Sequence, residues 1–477
     1  MYLASIALAV AVLRAAPDVA VFGAAPDRPG VPPPLGVARI VSDENAPGAQ
    51  VLVLDHGRVV YEHDFGVRDL TMRRPVDAHT RFEIGSITKQ FTAAAILQLS
   101  EQGKLSLSDP LEKYVPQYRL GRRITIQQLL WQVSGIPDYT DGPAFRKLIV
   151  RRGYRAVFSK PVDLNVVLSL ITGQRLHFQP GSAWEYSNTN YFLLGEVVAA
   201  ASGIPWERYV RTHLFEPARM HESSFSSDEA QIADMATGYA LARVTFKPIP
   251  TGPDCGVGDG AIVSTARDLA KWNAALFGGT IVSPRSLALM TAPGPHPSGP
   301  QEGYGFGLVI GTYDGVRRVA HNGRTLGFTS MNQVYPFLSQ EVIVLATGGD
   351  ADAGDIADIA FDQHNAGLAA RANVGANGAD PAITAVVNRL WSGMASGHVD
   401  QTLLSPSMGR FMAGPAGRAT PFAHYGAVSR WIYRGRTGTP RGPLYRYRLL
   451  FVNGLALDLN VIVTAQHKVA GLTYWRR

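Results

Sequence analysis

Strand-like sequence occurs at two widely separated places in the first 365 residues, and helix-forming sequence fills the interval. Gln50–Leu54 turns through Asp55-His56-Gly57-Arg58 into Val59–Asp64 and reads as a hairpin. Strand-like sequence returns only between Tyr304 and Thr347, including Met331–Tyr335 and Glu341–Ala346, ahead of a helix over Asp355–Gln363. From residue 86 to about 240 the pattern is helical, punctuated by Pro110, Pro180 and Pro205. Strands at both ends with helices between them predict an α+β domain: one discontinuous sheet carrying a helical insertion.

Three short motifs fall within that frame. The first is Ser86-Ile87-Thr88-Lys89, at the head of a helix-forming run that reaches about Gln102 and stops at Gly103. A serine near a helix N-terminus lies beside unpaired N–H groups that favour developing negative charge. Lys89, nearly one turn on, rises on the same face, and its amine can reach the serine oxygen. Such a lysine acts as a base only where burial or neighbouring charge favours its neutral form. Taken alone, Ser-x-x-Lys is more often an N-cap followed by a solvated lysine.

The second motif, Tyr186-Ser187-Asn188, precedes an apolar helix over about Phe192–Ala201. Tyr-x-Asn in a loop offers a phenol able to share a proton with Lys89 and a carboxamide able to bind a substrate amide or steady the lysine. The third, His321-Asn322-Gly323, lies inside strand-like sequence that begins near Arg317 and runs on into Arg324. Glycine in a strand often marks close backbone approach. A strand edge beside Ser86 would supply the N–H of Arg324, and with the N–H of Ser86 this makes an oxyanion hole. His321 would add a proton donor or a switchable positive charge.

In this order the motifs resemble the class C β-lactamases, the serine DD-peptidases and related esterases, with their Ser-x-x-Lys, Tyr-x-Asn and Lys-Thr-Gly or His-x-Gly pattern. Leu129-Leu130 through Ser134-Gly135-Ile136-Pro137, the run Gly258 to Leu269, and Tyr304-Gly305-Phe306-Gly307 are similar too, so the likeness covers roughly residues 35–365. The resemblance implies a β-lactamase/transpeptidase-like fold: an antiparallel sheet flanked by helices, with the active site between sheet and helical lobe. It also implies that Ser86 is the nucleophile, Lys89 its base partner and Tyr186 the general base and acid. Asn188, His321, Gly323 and Arg324 would contact substrate. Two departures stand out. His321 replaces the lysine of the β-lactamases proper, which weakens permanent attraction for a substrate carboxylate and favours peptidase or esterase chemistry. Gln132 stands where the family often has histidine, a change expected to affect packing and not chemistry.

Composition narrows the remaining classes. The 477 residues are 46% hydrophobic and 17% charged, as in globular proteins, and the net charge of +7 is scattered over arginine pairs such as Arg122-Arg123 and Arg317-Arg318. Without a basic helix or aromatic-interleaved stripe, nucleic acid is not an expected partner. The lone Cys255 rules out an intrachain disulfide, and its Gly256–Gly260 surroundings read as a loop lining the cleft. No metal-ligand spacing appears, so neither metal nor cofactor is expected.

Residues 1–25 carry a short apolar run followed by small residues and suggest a signal peptide, hence export to the periplasm or beyond, although no basic segment precedes the run. Residues 26–36 form a Pro-rich linker, 37–365 the hydrolase domain, 366–380 an Ala/Gly/Asn linker, and 381–477 a small α+β domain. In the last, Ile383–Ser396 is amphipathic, and Tyr445–Val452 pairs with Leu455–Thr464 across Asn453-Gly454, a pattern similar to ketosteroid-isomerase-like folds. Its acids, Asp380, Asp400 and Asp458, face many arginines. Two readings stay open: a solvated basic surface, or contact with anionic envelope polymers.

The sequence therefore points to a serine hydrolase forming an acyl-enzyme on a small-molecule or peptide amide or ester, with weak β-lactamase activity in reach. Oligomeric state is left open. A sensor that binds β-lactams or cell-wall peptides without turning them over, and an envelope-associated binding protein, are the rival readings.

Overall fold

The computed structural model describes residues 46–476 apart from 143–144, 146, 149, 151–162, 172, 243–244, 250–256, 296–302, 314, 349–350, 366–379, 414–427, 438–441 and 452–455. The proposed signal peptide, the Pro-rich linker, Cys255 and nearly all of the 366–380 linker lie outside the described residues. The chain divides into two compact units, Met1–Gln363 and His364–Arg477.

The first unit is organised by a seven-stranded antiparallel sheet. Its early strands are β1 (Gly48–Asp55), β2 (Arg58–Asp69) and the two-residue β3 (Arg74–Pro75). Between these and the late strands come the helices α1 (Thr88–Glu101), α2 (Asn188–Ser202) and α3 (Ala266–Phe277). The late strands are β4 (Val309–Tyr313), β5 (Val316–Arg324), β6 (Phe328–Tyr335) and β7 (Gln340–Thr347), followed by α4 (Ala353–His364). The order across the sheet is β3-β2-β1-β7-β6-β5-β4. The junction is β1 against β7, with Ala49 opposite Ala346 and Asp55 opposite Gln340. The discontinuous sheet expected from the sequence is therefore present. A narrow three-stranded strip of Phe82–Glu83, Ile262–Ser264 and Ser224–Phe225 lies in the inserted region.

Helices cover both faces of the sheet, and the period-2 alternation of β6 shows it. Asn332 turns to one face, where its amide exchanges hydrogen bonds of 2.8 Å with Asn273 of α3. Gln333 turns to the other and donates to Asp358 of α4 at 2.9 Å. α1 runs through the middle of the unit and is buried over 88–97. Its Ala93-Ala94-Ala95 run has high helix propensity and small side chains that admit neighbours closely. Polar groups on such a helix need partners, and two of them are paired: Trp272 Nε1 donates to Gln90 Oε1 at 3.0 Å, and Thr92 Oγ1 donates to the Gly258 carbonyl at 2.7 Å, while Gln90 Nε2 has no hydrogen-bond partner.

The second unit contains α5 (Pro381–Ser396), α6 (Pro406–Ala413) and the antiparallel meander β8 (Val428–Thr437), β9 (Leu444–Phe451), β10 (Ala456–Val463) and β11 (Val469–Arg476). The helix and the β9/β10 pair were legible in sequence; β8 and β11 are additional. The unit buries its own apolar cluster, including Val387, Leu390, Leu449, Leu457 and Val461. Its acids are engaged: Asp380 caps α5, Asp400 pairs with Arg389 at 2.5 Å, and Asp458 pairs with Arg448 at 2.9 Å. Among the described residues no helix is long and apolar enough to cross a membrane.

Candidate active site

Ser86 sits in a single 3₁₀ turn, Gly85–Ile87, that runs directly into α1. The expected helix start is thus one tighter turn ahead of the α-helix proper. Gly85 has φ +50°, and a Cβ placed there would lie 2.8 Å from the main-chain nitrogen of Arg324. The turn needs glycine on both counts, and the same measurement sets the Ser86 turn against β5.

Ser86 Oγ accepts hydrogen bonds from Lys89 Nζ at 2.9 Å and from Tyr186 Oη at 2.8 Å. Lys89 is fully buried, and its Nζ also donates to Asn188 Oδ1 and to the Asp259 carbonyl, each at 2.8 Å. Those two partners can only accept, so they claim two N–H bonds. The third tetrahedral position of the nitrogen faces Ser86. It is an N–H when the lysine is an ammonium, and it is the lone pair when the lysine is an amine. The geometry therefore aims the basic site of a neutral Lys89 at the serine hydroxyl. The Tyr186 ring lies over the same nitrogen, 4.9 Å from ring centroid to Nζ.

Asn188 is the first residue of α2, not a loop residue as expected. Its orientation is set by Asp138, whose Oδ2 accepts from the Asn188 main-chain N–H at 3.0 Å and from Nδ2 at 3.1 Å. With Nδ2 so committed, Oδ1 must face Lys89. Thr140 donates to the other carboxylate oxygen through its N–H and its hydroxyl, each at 2.8 Å.

His321, Asn322 and Gly323 lie within β5, as the strand-like sequence around them led us to expect. Gly323 and His321 share the face that meets the serine turn, since a Cβ on Gly323 would lie 1.9 Å from the Ile84 carbonyl oxygen. The N–H of Thr325 bonds to the Phe328 carbonyl on the β6 side at 3.0 Å. Successive strand N–H groups alternate in direction, so that of Arg324 points to the opposite edge. There β4 no longer pairs, its last partner on β5 being Ala320. The Arg324 N–H thus faces an open edge beside Ser86, while its side chain is exposed.

The expectation that His321 supplies a proton donor or a switchable charge is corrected. Its Nδ1 lies 2.6 Å from the Asn322 carbonyl, which can only accept, so Nδ1 carries the proton. Nε2 then accepts from Tyr304 Oη at 3.1 Å. Burial, reinforced by the charge of Lys89, pushes the imidazole pKa down to about 3. At neutral pH the ring is an uncharged wall behind Tyr186, their centroids 6.2 Å apart.

Sequence reasoning missed Asp138, Tyr304 and Asp259 as parts of the site. Asp259 is buried; Tyr139 Oη donates to its Oδ2 at 3.0 Å, and its Oδ1 has no hydrogen-bond partner. Burial raises this carboxyl to about 7, against the opposing pull of the Lys89 charge. All three join the site through contacts between segments distant in the chain. Only the position of Asp259 and Tyr304 in stretches resembling the family hinted at those two. Among the described residues no group of His, Cys, Asp and Glu side chains could hold a metal ion.

Comparison with known proteins adds a family. The model described as Beta-lactamase matches residues 37–365. Protein flp of Staphylococcus aureus strain MW2 is 33% identical over 235 residues, 47% of this chain, and the match spans only 44% of flp. The putative penicillin-binding protein PbpX of Bacillus subtilis strain 168 is 31% identical over 296 residues, 62% of this chain and 68% of its own length. Among solved structures, a D-stereospecific amidohydrolase from Streptomyces sp. superposes with a TM-score of 0.61 at 26% identity, covering 69% of this chain and 98% of that one. The protein belongs to the Beta-lactamase family, a family of serine hydrolases.

Proposed function

We propose that the protein hydrolyses an amide or ester through an acyl-Ser86 intermediate, as a DD-carboxypeptidase-like peptidase or an esterase. The observation that carries this reading is the convergence of Lys89 Nζ and Tyr186 Oη on Ser86 Oγ, with the two other positions of Nζ filled by acceptors.

Lys89, as the amine, takes the Ser86 proton in concert with Tyr186, and Oγ attacks the substrate carbonyl carbon. The oxyanion is held by the N–H groups of Ser86 and Arg324. The carbon–leaving-group bond then breaks as Tyr186 Oη protonates the departing nitrogen or oxygen, and Lys89 restores the phenol proton. Water repeats the sequence in reverse, with the same pair removing its proton and returning one to Ser86 Oγ. The neutral His321 places no permanent cation behind Tyr186 to attract a substrate carboxylate, which supports ester substrates over β-lactams. The likeness to the Streptomyces amidohydrolase supports amide cleavage.

The test is a panel of short-chain nitrophenyl esters, D-Ala-D-Ala peptides and a chromogenic cephalosporin, run on the wild type and on Ser86→Ala. Ester or peptide turnover that vanishes in Ser86→Ala, with slow cephalosporin hydrolysis, is the expected result. Turnover that survives in Ser86→Ala counts against the reading. So does a stoichiometric adduct that never turns over, which is the behaviour of a sensor.

A further inference from the structure

Tyr186 is held from both sides by one residue that the mechanism above does not use, through its main-chain carbonyl on one side and its side chain on the other. Gln132 is fully buried and adopts φ +63°, a left-handed conformation that costs a non-glycine residue energy and persists only where surroundings impose it. Its carbonyl accepts from the N–H of Glu185 at 3.1 Å. Its side-chain Oε1 accepts from the N–H of Ser187 at 3.1 Å and from Asn190 Nδ2 at 2.5 Å. The residues immediately before and after Tyr186 are thus both tied to residue 132. Asn190 is itself fixed, because Ser134 Oγ donates to its Oδ1 at 2.6 Å. Gln132 Nε2 makes no well-formed hydrogen bond, yet it lies close enough to offset part of the effect of burial on the Tyr304 phenol, the group that holds His321 behind Tyr186.

We infer that Gln132 is a positioning residue for Tyr186: its Oε1, by fixing Ser187 and Asn190, sets where the phenol stands relative to Ser86 and the leaving group. On this inference Gln132 acts on the chemistry, where the sequence alone led us to expect an effect on packing. A phenol displaced by a fraction of an ångström loses its proton-transfer geometry before it loses its fold, because the rest of the loop stays anchored through the main-chain carbonyl of residue 132.

The inference rests on the reading of Tyr186 as the leaving-group acid, and that reading gives it a distinctive signature. An anilide must receive a proton as it departs, whereas nitrophenolate departs unprotonated. The measured quantity is the ratio of kcat for an anilide to kcat for a nitrophenyl ester with the same acyl group, in Tyr186→Phe, Gln132→Met and Gln132→Glu. Methionine matches the length of glutamine but removes the strong acceptor; glutamate keeps it.

Gln132→Met is expected to lower the anilide/ester ratio at least tenfold with KM changed less than threefold, and Gln132→Glu to hold the ratio within threefold of wild type. A general loss of packing would lower both rates together, so an unchanged ratio in Gln132→Met overturns the inference, as does an equal fall in both variants. If Gln132→Met does not fold, Gln132→Asn, whose amide is one methylene too short, takes its place with the same expected fall and the same refuting result. If Tyr186→Phe itself leaves the ratio unchanged, the acid role of Tyr186 fails first. If Tyr186→Phe lowers the ratio and Gln132→Met does not, only the role of Gln132 fails.

Discussion

Beside Ser86, position 323 has no room for a methyl group. A Cβ built on Gly323 lies 1.9 Å from the Ile84 carbonyl oxygen and 2.4 Å from Ser330 Oγ. Ser330 can rotate away at the cost of its 2.8 Å hydrogen bond to that carbonyl. The carbonyl cannot, because it is backbone and also accepts from the Ile87 N–H at 3.2 Å within the serine turn. Ordinary contact begins near 3.4 Å, so Gly323→Ala must part β5 from the turn by 3.4 − 1.9, about 1.5 Å. The two proposed oxyanion donors, Ser86 N–H and Arg324 N–H, lie on opposite sides of that contact. Displacement on this scale costs reacting groups about a hundredfold, and loss of one donor costs roughly 10²–10³ in kcat. Overpacking costs stability ~1–3 kcal/mol, a fall of roughly 1.5–5 °C in Tm for a domain of this size. Gly323→Ala should therefore stay folded while kcat for a nitrophenyl ester drops about a hundredfold, measured by burst-phase kinetics alongside a thermal melt. A folded variant with kcat within threefold of wild type would refute the close approach or the oxyanion assignment that rests on it.

Other outcomes follow from the same geometry. With the His321 pKa pushed to about 3, the ring stays neutral between pH 5 and 8, so His321→Asn should keep the shape of the kcat/KM profile against pH; disappearance of a limb near pH 6.5 would contradict this. Burial raises the Glu341 carboxyl from 4.5 to about 7, against a 2.9 Å hydrogen bond from Asn273 Nδ2. The folded state keeps a proton that the unfolded state releases between those values, so stability is full below about pH 4.5 and falls as pH rises to about 7. Glu341→Gln should reduce that slope by its own share, leaving the share of Asp259, and gain up to roughly 3 kcal/mol at pH 8, read from urea melts at several pH values; an unchanged slope counts against it. Lys89→Met and Tyr186→Phe, acting on one proton path, should each cost most of the activity, with the double variant losing little more; losses that add in free energy would mean separate roles.

Much of the fold was legible because local pattern and tertiary structure agree. The β1/β2 hairpin carries its own turn, and β6 and β7 are long β-rich runs. The strands β8 and β11 were not legible. Register shifts between Tyr433 and Gly435, and between Ile462 and Val463 opposite β11, break the alternation that marks a strand. The site divides in the same way. Ser86 and Lys89 are one helical turn apart, so their meeting could be read from spacing. The state of His321 could not, because Asn322, Tyr304, Lys89 and burial set it together and only folding assembles them. Asp138, and the hydrogen bonds of Gln132, escaped for a related reason: their partners lie some fifty residues along the chain, and nothing local betrays that pairing.

Mass spectrometry of the protein after brief incubation with a fluorophosphonate or a slowly deacylating ester tests the central claim most directly. The account predicts a single adduct on the peptide containing Ser86, absent from Ser86→Ala and formed far more slowly in Lys89→Met. An adduct on another serine with Ser86 unmodified, or labelling undiminished in Ser86→Ala, would contradict it.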